Sequence, residues 1–210
     1  MTGGGRAPGL ALYLTESSRA AFDFGMFTSS WSLLAALPRG DGHPVLVLPG
    51  LSAADRSTIV LRRTLIRLGY RTYGWRLGRN IGPTARAVHG MRARLDYLNS
   101  RYDQPVSLVG WSLGGIYARR LARRTPDSVR QVITLGSPFR LATGTQSRAD
   151  RLFQHYAPRH VETWTLPLEH DEGPLPVPAT SIYSRLDGIV SWRACLDEPT
   201  PRAENIGVGG

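Results

Sequence analysis

From residue 45 onward, short unbroken apolar runs alternate with longer stretches whose apolar positions recur every three or four residues. Val45–Leu48, closed by Pro49-Gly50, reads as a fully buried strand. Ser57 then caps a helix with Val60, Leu61, Leu65 and Leu68 on one face, stopped at Gly69. Tyr70–Trp75 is a second strand and leads into the loop Arg76–Pro83, after which Thr84 caps a helix carrying Val88, Met91, Leu95 and Leu98. Val106–Val109 is a third strand, followed at once by Gly110 and a helical pattern to Arg124. Val132–Leu135 and Thr180–Tyr183 read as two more strands, and Asn205–Val208 as a weaker sixth. Ahead of these, residues 9–38 read as an amphipathic helical lead-in with Leu10, Leu12, Leu14, Ala21 and Phe24 apolar.

Strands that are apolar throughout and alternate with helices predict an α/β fold. The expected form is a mostly parallel, doubly wound sheet with helices on both faces, joined by right-handed crossovers. Ligands in such sheets bind beyond the carboxyl ends of the strands, so functional residues are expected just after Leu48, Trp75, Val109, Leu135 and Tyr183. Residues 140–179 lack strong periodicity and end in Pro174, Pro176 and Pro178; a stretch that long predicts a lid or binding excursion. No internal repeat interrupts the pattern, and residues 1–210 are expected to form a single domain.

Composition narrows the function classes. All 26 basic residues are Arg, against 16 acidic ones, for a net charge of +10. The arginines spread over the whole chain (Arg62, Arg63, Arg92, Arg94, Arg119, Arg120, Arg123, Arg124) at helical spacings opposite the apolar stripes, as a solvated face would. The Arg39–Asp41 tripeptide reads as a polar turn entering the first strand. With no basic tail, helix-turn-helix pattern or row of stacking aromatics, nucleic acid is not an expected partner; weak contact with anionic lipid interfaces is the most the charge suggests. The lone Cys195 excludes an internal disulfide and a cysteine-based zinc site. His155, His160, His170 and Asp171 do not fall at a metal-ligand spacing, so no metal is expected. The loop PGLSAAD after the first strand fits neither G-x-G-x-x-G nor a P-loop, and no cofactor is expected. No apolar run reaches the roughly 18 residues of a membrane span, since Thr28, Ser29, Ser30 and Ser32 break Phe24–Leu37. The N-terminal MTGGGRAPGLALYL lacks a signal-peptide layout, making the cytoplasm the expected location.

The chemistry sits after the third strand, in Gly110-Trp111-Ser112-Leu113-Gly114. A bare G-x-S-x-G is a weak pattern, but here it follows an apolar strand and opens a helix, which is the strand–turn–helix setting a nucleophilic serine needs. The serine must sit on a sharp turn, and side chains at the two glycine positions would collide with the neighbouring strand and helix. The bland reading is a glycine-rich helix start whose serine merely caps.

The stretches VLVLPGLSAADRST, RLGYRTYGW, LGRNIGPT, VSLVGWSLGGIYAR, VITLGSPF and SIYSRLDGIVSW, spanning most of residues 43–193, resemble the α/β-hydrolases, specifically small bacterial lipase- and esterase-like serine hydrolases. The resemblance implies Ser112 as a nucleophile that forms an acyl-enzyme, cleaving a carboxylic ester, lipid-like or acyl. It implies the backbone N–H of Leu113 as one oxyanion donor, and that of Leu51 in Pro49-Gly50-Leu51 as the other. Pro49 stands where many lipases carry a histidine, which leaves the backbone role intact. Asp187 in SRLDGIV occupies the place of the triad acid, although an Asp-Gly turn is common after strands; Asp197 and Glu198 are the fallback acids. Trp75, Tyr73, Trp111, Phe139 and Trp192 fall at strand ends, where they would line an acyl pocket or simply fill the core. GWSLGG also occurs in carboxylesterases of carrier-bound methyl esters, so the elbow does not fix the substrate.

The histidine departs from the pattern. The family's base follows the last strand, whereas here the five histidines, His43, His89, His155, His160 and His170, all precede Asp187. His43 precedes the first strand at the wrong end of the sheet, and His89 falls inside a helix. The other three lie in the 140–179 segment, from which one would give the order Ser, His, Asp. The expectation is that the chain stops short of its catalytic base and closing helix. The rivals to an esterase are an acyl- or lipid-binding domain with an incomplete triad and an acyltransferase.

Overall fold

The computed structural model describes residues 36–140, 149–161 and 173–209. The 9–38 lead-in lies outside these residues but for its last three, as do 141–148 and 162–172 of the expected lid.

Six parallel strands form one sheet in the order β2-β1-β3-β4-β5-β6: β1 Pro44–Leu48, β2 Arg71–Gly74, β3 Val106–Trp111, β4 Val129–Leu135, β5 Ala179–Ser184 and β6 Ala203–Val208. The helices among them are α1 Ile59–Arg67, α2 Ala85–Tyr102, α3 Leu113–Arg124 and α4 Asp150–Tyr156. Side chains alternate across a strand, so β1 serves two cores at once. Leu46 and Leu48 join Leu108 and Val132 beneath Met91, Leu95 and Leu98 of α2 and Ile116, Tyr117 and Leu121 of α3. Val45 and Val47 turn the other way with Val109, against Leu61 and Leu65 of α1. The continuous apolar runs are thus explained by burial on both faces.

Chain direction across the sheet reverses at β1, which has β2 on one side and β3 on the other. In an open α/β sheet this switch point opens a crevice at the carboxyl ends, here between the segments following Leu48 and Trp111.

Two local readings are corrected. Ser57 does not cap α1: a 3-10 turn over Asp55–Thr58 intervenes, and the Ser57 hydroxyl donates to the Ala54 carbonyl at 2.7 Å. Asp55 instead accepts from the N–H groups of Trp75 and Arg76, both at 3.0 Å, tying this turn to the end of β2. Thr84 does cap α2, accepting from Ala87 N–H at 3.2 Å.

Arg119 is not part of a solvated face either. It is 2% exposed, pairs with Asp197 at 2.6 Å, and lies 3.8 Å from the centre of the Phe139 ring. Asn205 of β6 brackets the Asp197 backbone, accepting from its N–H at 2.7 Å and donating to its carbonyl at 3.0 Å. The pair therefore ties α3 to the segment that leads into β6. Removing one partner leaves a buried charge unpaired, so Asp197→Ala is expected to cost about 3–5 kcal/mol. Arg119→Met combined with Asp197→Leu is expected to cost less than that single change. Urea unfolding of the two variants checks this, and a double variant no more stable than Asp197→Ala would contradict it.

Candidate active site

Ser112 sits between β3 and α3 with φ +51° and ψ −120°, a conformation L-residues rarely adopt. Its own N–H donates to Leu135 O at 2.9 Å, and its carbonyl accepts from Gly115 N–H at 2.9 Å. The glycines are there for want of space. A Cβ on Gly114 would lie 2.2 Å from Leu48 O and 2.8 Å from Pro49 O, and one on Gly110 would lie 2.3 Å from Gly115 Cα. The start of α3 is thus pressed directly against the backbone leaving β1. Strain of this kind persists only where the surroundings over-determine it, which marks Ser112 as a functional candidate.

The segment after β1 completes one wall. A Cβ on Gly50 would be 3.3 Å from Ser112 Cβ, so the Pro49–Ser52 loop lies alongside the serine. Gly50 O accepts from Ala53 N–H at 3.1 Å, closing a turn with Leu51 and Ser52 at its centre, and Ser52 takes φ +61°. The Leu113 N–H is the first of α3, which a helix leaves without an intrahelical acceptor. The Leu51 loop and the first residue of α3 thus lie next to Ser112.

Asp187 leaves β5 toward the same edge. Its Oδ1 accepts from Ile189 N–H at 2.8 Å and Val190 N–H at 2.9 Å, so the Asp-Gly turn does form. The other oxygen, Oδ2, lies 3.3 Å from where a Gly136 Cβ would be. Gly136 directly follows Leu135, the acceptor of the Ser112 N–H. The turn engages Oδ1. Asp197 is committed to Arg119, and Glu198 pairs with Arg140. The Asp187 charge and burial together push the Cys195 thiol up to about 12, burial contributing more.

The described histidines are elsewhere. His89 is exposed on α2, and His155 is exposed on α4 beside the Tyr156 ring. His160 bonds Ile81 O at 2.9 Å and leans on Phe153. His170 lies outside the described residues. His43 is placed in a Ser-His-Asp arrangement of its own, between Asp41 and Ser107, with Nε2 to Ser107 Oγ at 2.7 Å. That arrangement lacks what acyl transfer requires. Ser107 is 1% exposed in the middle of the sheet, and β1 and β4 flank it on both sides, so its backbone offers no oxyanion donor. It is a clamp at the amino end of the strands, with Arg130 holding Asp41 from β4 at 2.8 Å. The hydrogen bond from His43 keeps the Asp41 carboxyl well below the usual carboxylate range.

The aromatic residues divide. Trp75 and Phe139 are core, Tyr73 pairs with Tyr102, and Trp192 stacks on Tyr183 with ring centres 5.8 Å apart. Trp111 is 43% exposed beside Ser112, and Leu186 and Ile189 are exposed on either side of Asp187. Sequence reasoning passed over Asn80, fully buried between this loop and α3. It is the one uncharged polar side chain in Arg76–Pro83, the loop at the carboxyl end of β2.

Among solved structures, the chain is similar to lipase B of Aspergillus fumigatus, with a TM-score of 0.62 and 16% identity over 80% of this chain and 45% of that one. It is also similar to the Bacillus licheniformis lipase BlEst2 in mature form, with a TM-score of 0.56 and 17% identity over 81% and 85% of the two chains. The chain has the α/β-hydrolase fold. A pimeloyl-[acyl-carrier protein] methyl ester esterase from Neisseria meningitidis serogroup C is 41% identical over 51 residues, 24% of this chain. The match spans about a fifth of that relative's length (20%). No family model matches the sequence. Within an α/β-hydrolase sheet, the Ser112 turn, the Leu51 loop and Asp187 occupy one edge. Among the described residues there is no group of three or more His, Cys, Asp or Glu able to hold a metal, and no helix is long and apolar enough to cross a membrane.

Cys195 is 1% exposed as well as weakly acidic. Ellman's reagent at pH 8 is expected to leave the native protein unmodified and to titrate one thiol after unfolding. Rapid reaction of the folded protein would contradict this placement.

Proposed function

We propose that the protein is a serine hydrolase of carboxylic esters, of lipase or esterase type, working through an acyl-enzyme on Ser112. The observation that carries the reading is the strained turn that puts Ser112 at the switch-point crevice, with the Leu51 loop alongside it. Attack of Ser112 Oγ on the ester carbonyl forms a tetrahedral intermediate, whose oxyanion the Leu51 and Leu113 N–H groups receive. Collapse expels the alcohol, and water then releases the acid. In this reading Asp187 is the acid that orients a histidine base, which takes the serine proton, returns it to the departing alkoxide and is steadied in its charged form between the two steps. The register pairs Ser184 with Val208, so the end of β6 lies next to the start of the Asp187 loop. Exposed Trp111, Leu186 and Ile189 suit an acyl or lipid-like substrate.

One observation favours a second reading, an acyl- or lipid-binding domain without turnover: none of the four described histidines bonds Ser112 or Asp187. Hydrolysis of p-nitrophenyl butyrate separates the two. The esterase reading expects turnover that Ser112→Ala lowers by about 10^4-fold or more, and labelling by a fluorophosphonate probe that the same change abolishes. Absent turnover with undiminished binding of a fluorescent fatty acid would favour the binding domain. Turnover that survives Ser112→Ala would overturn the nucleophile.

A further inference from the structure

We infer that Asn80 is the positioning residue of the oxyanion loop, acting through Leu51; the inference rests on the reading of Leu51 as an oxyanion donor. Asn80 is 0% exposed, and every polar group it has is used. Its Nδ2 donates to Pro49 O at 2.8 Å, and its Oδ1 accepts from Tyr117 O–H at 3.2 Å and from Gly82 N–H at 3.1 Å. Its backbone N–H donates to Ala53 O at 2.8 Å, and its carbonyl accepts from Ser52 N–H at 2.7 Å.

Three of these five bonds grip the loop after β1 at Pro49, Ser52 and Ala53, the residues that bracket Leu51. A fourth reaches Tyr117, one turn into the helix that begins at Ser112. The asparagine side chain therefore gauges the distance between the two oxyanion donors, one on the loop and one at the start of the helix. A buried carboxamide is suited to this because it offers a donor and an acceptor on one rigid plane. The grip also accounts for the positive φ of Ser52, a turn position that favours glycine, since the bond from Ser52 N–H to Asn80 O holds it. An apolar side chain of the same size would fill the space but would remove the bonds to Pro49 O, Tyr117 O–H and Gly82 N–H.

Because Asn80 touches the donor's loop and not the substrate, its loss acts on the transition state more than on substrate binding. Asn80→Asp keeps the shape and the acceptor but places a carboxylate oxygen against Pro49 O. It is expected to lower kcat for p-nitrophenyl butyrate by about 10- to 100-fold, with KM within about threefold, a partial loss of what removing an oxyanion donor costs. Tyr117→Phe removes one hydroxyl in place and is expected to lower kcat by a few-fold while the protein stays folded. Amide exchange of the 50–53 segment, read by mass spectrometry, is expected to quicken about tenfold or more in Asn80→Asp. That readout is independent of catalysis.

A faster-exchanging loop with kcat unchanged in both variants would overturn the inference, as would a kcat loss with exchange at 50–53 unaltered. A parent protein whose Ser112 neither turns over ester nor takes the fluorophosphonate would instead overturn the esterase reading, and this inference with it. If Asn80→Asp does not fold, the Tyr117→Phe pair of readouts decides alone: both must move, and both standing still would overturn the inference.

Discussion

The backbone leaving β1 and the first turn of α3 approach so closely that position 114 has no room for a β-carbon, and the turn from β3 into α3 leaves none at position 110. Leu48 O and Pro49 O occupy the space a side chain at 114 would need, and the Gly114–Gly115 backbone occupies the space a side chain at 110 would need. That approach is a consequence of parallel strands β1 and β3 running side by side at the switch point, each followed by a tight exit. It forces Ser112 into a left-handed conformation, and it brings the Leu51 loop beside the serine. The strain has to be held from elsewhere, and the two-sided apolar core built on β1 supplies much of that rigidity.

Polar clusters, there and elsewhere in the fold, do a different kind of work. Asn80 joins loop to helix, Arg119 and Asp197 join helix to the approach of β6, and Asp41, His43 and Ser107 lock the amino ends of the strands. Each would be costly if left unpaired, and each is paired. The third set is instructive because its connectivity matches a catalytic triad. Burial of Ser107 and the commitment of its backbone to the ladder, not the identity of the side chains, make it structural.

Much of this was legible in the sequence, for identifiable reasons. All six strands were placed to within three residues at either end, because runs such as Val45–Leu48 must be apolar on both faces of a covered sheet. The sharp turn at Ser112 was legible because Gly110 and Gly114 are dictated by backbone contact. Asp187 followed from its position just past β5. Arg119 was misjudged: helical spacing opposite an apolar stripe does not report a partner 78 residues away. The Ser57 cap failed for a related reason, since the Asp55 side chain is drawn to Trp75 and Arg76, and a 3-10 turn precedes the helix. The role of Asn80 was not legible from its neighbours, because its bonds run to residues 27 to 37 positions away, along with one to nearby Gly82.

The account stands most directly on a crystal structure of the protein after reaction with a short-chain phosphonate. It predicts a covalent adduct on Ser112 Oγ whose phosphoryl oxygen lies about 2.7–3.1 Å from both Leu51 N and Leu113 N, with Gly110 and Gly114 unmoved. An adduct on another residue, or one on Ser112 whose oxygen turns away from those two amides, would contradict it.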